Sequence, residues 1–242
     1  MRPLAIASFV GAAVPAMAGP ADYVQVPYFD EGHWVLTTAI GRTGSRDGSS
    51  ETALAPSIGF SPTSKWFTAL YAEWTRASGE ATRLEAWEWV NQFQLVPASA
   101  SMPVDINLLL EVERPSERSE GYELSIGPML QFDVGSWQNN LNLLLSKAVR
   151  GQASEPATLG YQWQAKTLWR PGVEFGAQGL GSWGAIEGHA DSSQRSHQWG
   201  PAVFAHWALG NGRSLKLDAA WLAGLTNPSP RSTLRFQARC DF

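Results

Sequence analysis

About twelve stretches of this chain alternate apolar and polar side chains with a period of two, and none shows the three-to-four spacing of an amphipathic helix. Segment 232–242 shows the pattern most plainly. Leu234, Phe236, Ala238, Cys240 and Phe242 share one face, and Thr233, Arg235, Gln237, Arg239 and Asp241 share the other. Beyond the first residues no run of eighteen apolar residues exists, so a membrane-spanning helix is excluded for the processed chain. Two architectures remain, a soluble sandwich with a wet polar face or a membrane barrel turned inside out.

The first residues have a separate purpose. Met1-Arg2-Pro3, a short apolar stretch from Leu4 to Val14 and a small-x-small site ending at Ala18 form a secretory leader, with cleavage expected before Gly19. Residues 1–18 are therefore expected to be a signal peptide, and 19–242 a single domain with no Ser/Pro/Gly-rich linker. Removing Arg2 with the leader leaves 17 basic against 22 acidic side chains, a net charge of −5 without a basic cluster. Nucleic acid is not an expected partner. Cys240 has no second cysteine to pair with, and no Cys/His spacing predicts a metal site; no cofactor is expected.

The proposed strands are 32–42, 51–60, 64–76, 82–95, 104–114, 121–134, 136–149, 158–170, 172–185, 196–208, 213–225 and 232–242. Breaks after odd strands are longer and polar, as at 41–50, 150–156 and 186–195, whereas breaks after even strands are tight, as at 61–63, 135–136, 170–172 and 210–212. Only 97–103 departs from this. An even strand count with long connections at one end and short turns at the other predicts an antiparallel up-and-down barrel with both termini in the periplasm.

The distribution of aromatics separates the two architectures. On the apolar parity, Trp34, Trp66, Phe132, Trp137, Trp169, Trp207 and Phe242 fall near the short-turn ends, and Tyr122, Trp74, Trp163 and Trp199 toward the other. Two girdles suit an interface with lipid, whereas a sandwich core draws its tryptophans to strand centres. Strand 82–95 has no clean face, and a parity switch between Trp87 and Val90 would repair it.

The leader, the strand count and the terminal Phe242 together resemble a proteobacterial outer-membrane β-barrel over the whole processed chain. The resemblance implies residence in the outer membrane among its lipids, and delivery to the barrel assembly machinery through the last strand, with Phe242 as its signal. Segments 85–94, 171–176 and Gly200-Pro201 are also similar to small uncharacterised transporter-type barrels related to the phenol-degradation pathway and copper-resistance types. Copper-resistance barrels carry a Met- and His-rich N-terminal extension. Residues 21–29 hold neither residue type.

The inward parity supplies the candidate functional residues: Glu73, Glu111, Glu113, Glu123, Asp133, Lys166, Arg170, Glu174, Lys216, Asp218, Arg235 and Arg239. Acids concentrate on strands three to six and nine, bases on eight, eleven and twelve, so closure sets them across the lumen. They would pair as a structural network, or provide a transverse field that passes small polar or zwitterionic solutes. The leading expectation is thus a small-solute channel and not an enzyme. Two alternatives are a closed barrel acting through its outer loops, and a loop-borne hydrolase using His189, Asp191, Ser192, Ser193 and His197. The glycines Gly176, Gly179 and Gly181 have no following helix to form a phosphate cradle; they are expected to admit a neighbouring side chain or bend the strand.

Overall fold

The computed structural model describes residues 19–151, 156–186 and 195–242, so the expected leader, residues 1–18, and the cluster His189, Asp191, Ser192 and Ser193 lie outside the described residues. Twelve strands follow one another: β1 (Trp34–Gly44), β2 (Ser50–Thr63), β3 (Trp66–Ala77), β4 (Arg83–Val96), β5 (Val104–Pro115), β6 (Tyr122–Val134), β7 (Trp137–Val149), β8 (Thr158–Arg170), β9 (Val173–Ala185), β10 (Ser196–Gly210), β11 (Arg213–Gly224) and β12 (Ser232–Asp241). Each pairs antiparallel with its chain neighbours, and β12 returns to β1 to close the barrel. The alternation predicted twelve strands, and every boundary falls within a few residues of the expected one.

Closure is made by ten residue pairs from Val35↔Asp241 to Gly44↔Ser232. Phe242 then extends the seam. Its carbonyl accepts from the Trp34 amide at 2.8 Å, and its own amide donates to the Trp34 carbonyl at 2.9 Å. Among the described residues no strand edge is left unpaired, which is the condition for a sheet to stand in hydrocarbon.

The two faces are reversed relative to a soluble protein. Leu36, Ile40, Leu54, Ile58, Leu70 and Phe236 are exposed on the outside, while Gln92, Asn107, Asn140, Asn142, Gln164 and Gln178 are buried inside. At the short-turn end, Trp34 packs on Phe60 with ring centroids 4.8 Å apart, and Trp66 stacks on Phe93 at 6.1 Å. The turn joining β10 to β11 places Asn211 and Gly212 at φ 52° and 73°, the left-handed pair that a two-residue hairpin requires.

β4 corrects one expectation. The register shifts between Glu73↔Ala86 and Trp74↔Leu84, so the extra residue is Glu85, and no parity switch separates Trp87 from Val90. Ala86, Glu88, Val90 and Gln92 all face inward, while Trp87 and Trp89 stand on the outer surface. Trp89 lies near mid-strand, outside either girdle. Its indole N–H donates to Thr68 Oγ1 at 2.9 Å, so its polar atom needs no interfacial water.

Gly179 and Gly181 of β9 admit neighbouring side chains as expected, whereas Gly176 instead makes room for the Ala165 carbonyl of β8. A Cβ on Gly179 would stand 2.1 Å from Trp163 Nε1, and one on Gly181 would meet both Tyr161 and His197. These aromatics lie over the bare backbone on the outer face. Backbone approach is closer still at Gly127, where a Cβ would stand 1.6 Å from the Leu143 carbonyl oxygen. Gly127→Val is expected to cost about 3 kcal/mol or more through overpacking. The check is heat-modifiable migration in gels: Gly127→Val loses most of the folded band, and outward-facing Leu70→Val keeps it.

Candidate functional site

Residues 19–33 do not remain outside the barrel. From the short-turn end, where the Gly32 amide donates to the Ser61 carbonyl at 2.8 Å, the chain leading to β1 lies along the lumen as far as Gly19 in the long-loop half. Pro20 and Pro27 disqualify it as a central strand, so its polar backbone groups meet side chains. Gln92 Oε1 accepts from the Tyr28 amide at 3.1 Å, Gln162 Oε1 accepts from the Gln25 amide at 2.9 Å, and Asn142 Nδ2 donates to the Gln25 carbonyl at 2.8 Å.

Successive side chains of this segment pack against opposite walls. Tyr23 contacts the buried group around Phe67, Tyr71, Val90 and Leu109, and its hydroxyl donates to that of Tyr71. Val24 is buried among Leu180, Phe204, Ala220 and Leu222, and Ala21 among Ala39, Ala53 and Ala55. Tyr28 meets Phe67 edge-on at 5.4 Å, and the Arg239 guanidinium lies over its ring at 3.9 Å. The lumen thus contains a small core made between the wall and residues 19–33.

A belt of amides crosses the same level. Asn140 donates to Gln131 at 3.0 Å, Gln164 to Asn140 at 3.2 Å, and Gln178 to Gln164 at 2.9 Å. Arg235 joins the belt to the segment by donating to Gln178 Oε1 at 2.6 Å and to the Asp22 carbonyl. Arg235 is buried, and Gln178 and Asp22 are the partners that satisfy its fork.

The charged candidates separate by height as well as by strand. Glu73, Glu111, Glu113 and Glu123 occupy the long-loop half, while Lys166, Glu174, Lys216, Asp218 and Arg239 occupy the short-turn half. Asp133 and Arg170 are exposed at the short-turn rim, and the Arg170 guanidinium lies 5.0 Å over Trp169. The basic group is largely self-paired: Lys166 meets Glu174 at 2.7 Å, and Lys216 and Arg239 meet Asp241 at 3.0 and 2.9 Å. The acids are arranged differently. Glu88, Glu113 and Glu123 stand directly opposite one another across β4, β5 and β6.

Between Tyr28, Lys166, His206, Lys216 and Arg239 a cavity of about 430 Å³ remains in the short-turn half. Cations, acids, amides and several Tyr and Phe rings line it, which is the chemistry of a small site with polar partners on an apolar floor. Sequence reasoning did not find Glu88, Asp241, Tyr23, Tyr28 or the amide belt. Glu88 was hidden by the doubtful parity of its strand; the amides had a visible signal in the Asn and Gln spacing of β7, β8 and β9.

His197 belongs to the outer surface. Its Nδ1 lies 3.1 Å from the Tyr161 hydroxyl, and its amide donates to Ser229 Oγ at 2.8 Å, tying the loop before β12 to β10. Among the described residues no group of His, Cys, Asp or Glu is arranged to hold a metal ion.

No family model and no curated protein matches the chain. Among solved structures it is similar to the COG4313 outer membrane channel from Pseudomonas putida F1, with a TM-score of 0.59 and 12% identity over 93% of this chain and 100% of that one. The KdgM porin in complex with disordered oligogalacturonate gives 0.52 and 8% over 86% and 98%, and the translocator domain of the autotransporter NalP from Neisseria meningitidis gives 0.52 and 9% over 92% and 90%. At these identities the likeness establishes the fold, that of outer-membrane β-barrels, which channels and translocators share.

The amide side chains that hold the segment are open to a direct check. Gln92→Leu removes the acceptor of the Tyr28 amide and is expected to cost about 1–2 kcal/mol locally. Hydrogen exchange at Tyr28 then quickens roughly tenfold, whereas exchange at Leu36 in β1 is unchanged.

Proposed function

We propose that this protein is an outer-membrane channel admitting small polar or zwitterionic solutes from the long-loop side, with its short-turn end facing the periplasm. The observation that carries this reading is the cavity of about 430 Å³ that the N-terminal segment leaves open, lined by cationic and anionic groups together. A site of that size suits one small solute, and its paired charges offer partners to both ends of a zwitterion. The segment 19–33 sets the bore, since without it the amide belt would face open water.

In this reading β12 also carries the chain into the membrane. Phe242 and Trp34 exchange both backbone hydrogen bonds, so the last residue completes the seam against the first of β1, and recognition of the final strand by the assembly machinery precedes that closure. Lipid contacts the exposed apolar parity.

One observation favours the closed-barrel alternative. The hydrogen-bonded run from Gln131 through Asn140, Gln164 and Gln178 follows the wall over β6 to β9 and is joined by Arg235 to Asp22 of the inner segment, so a solute must pass beside that segment or displace it. Planar-bilayer recording decides between them. The channel reading predicts unit conductance from folded protein, and a permeability ratio shifted about twofold toward cations when Lys166→Gln and Arg239→Gln are combined. Silent bilayers together with no solute uptake by liposomes would leave the closed barrel.

A further inference from the structure

The long-loop half of the lumen concentrates carboxylates. Glu88, Glu113 and Glu123 are directly opposed on adjacent strands, an arrangement that destabilises a sheet, and Glu111 lies two residues from Glu113 on the same face. Gly19 stands beside this wall. Its backbone nitrogen donates to Asp22 Oδ2 at 2.8 Å, and Glu73 Oε1 lies 3.3 Å from where a Cβ of Gly19 would sit. The following residues fix that position: the Pro20 carbonyl rests against the bare backbone of Gly41, and Pro20 and Ala21 are both buried.

Gly19 is also the residue after the small-x-small sequence Ala16-Met17-Ala18. Hydrolysis of the Ala18–Gly19 peptide bond by a signal peptidase consumes one water, leaves a carboxylate on Ala18, and leaves an amine on Gly19 that takes up a proton. One N–H donor then becomes three, with a unit of positive charge. We propose that the acidic half of the lumen is a binding site for the chain's own α-ammonium group: cleavage before Gly19 places that group between the carboxylates of Asp22 and Glu73, and so locks residues 19–33 into the barrel.

The site has the features an ammonium requires. The Asp22 carboxylate accepts from this nitrogen, the Glu73 carboxylate of β3 stands beside the same residue, and the acids of β4 and β5 on the neighbouring strands outnumber the one buried cation that meets the segment here, Arg235. Processing and plugging become one event, because an uncleaved peptide nitrogen carries no charge to answer the wall. The inference rests on cleavage at Ala18 and is independent of whether any solute passes.

The experiment uses the full protein purified from outer membranes, with folding verified by heat-modifiable migration. Intact mass is expected to place the first residue at Gly19. Reductive dimethylation with formaldehyde and borohydride, followed by peptide mass analysis, is expected to label that α-amine at least about tenfold more slowly in the folded barrel than in the heat-unfolded chain. Glu73→Gln and Asp22→Asn should each speed labelling severalfold while the barrel stays folded. A chain beginning at another residue, equal labelling of folded and unfolded protein, or rates unmoved by both substitutions would overturn the proposal. Failure of solute conductance would not touch it.

Discussion

Every backbone donor and acceptor of a sheet standing in hydrocarbon must be paired, and in this chain that requirement comes down to one seam. β1 and β12 meet over ten residue pairs, and Phe242 adds two further backbone bonds to Trp34. The register of this seam fixes the face β12 presents, since a slip of one residue would turn Phe236 inward and Arg235 and Arg239 into lipid. The terminal aromatic is therefore a structural participant in the barrel, placed where the ring of strands is completed.

The same requirement shapes the interior. Residues 19–33 enter the lumen without a sheet partner, and two prolines keep them from acquiring one. Their amides and carbonyls are met by Gln92, Asn142, Gln162 and Arg235, long or branched polar side chains projecting from four different strands. This accounts for a buried wall so rich in Asn and Gln: amides offer donor and acceptor together and need no counter-charge. Hydrophobic contact does the rest, through Tyr23 and Tyr28 against one apolar patch of the wall and Val24 against another.

Much of the fold was legible because a barrel writes its period into every strand. Segments such as 104–114 and 158–170 alternate cleanly, and the tight turns at Gly135 and Asn211 mark one end. β4 resisted because a bulge at Glu85 shifts the register near its start and because two tryptophans, Trp87 and Trp89, fall on the same side as Asn91. The candidate site was legible only in its charges. Glu73 and the β5 acids, Lys166, Lys216 and Arg239 could be named from parity, but their separation by height emerges from the register of whole strands. The role of residues 19–33 left no periodic signal at all: a short Pro-interrupted segment has the same appearance whether it trails in water or lies in a lumen. What distinguishes the two is the matching set of Gln and Asn side chains more than sixty residues away.

The central claim is that residues 19–33 occupy the barrel interior. Disulfide trapping tests it most directly. In a chain carrying Cys240→Ser, cysteines introduced at Ala21 and Ala53, which pack together inside the barrel, should cross-link on mild oxidation in intact outer membranes, as should a control pair at Ala39 and Ala55 on adjacent strands. Cross-linking of the control pair alone, with Ala21→Cys open to a thiol reagent too large to enter the lumen, would place the segment outside the barrel and contradict the account.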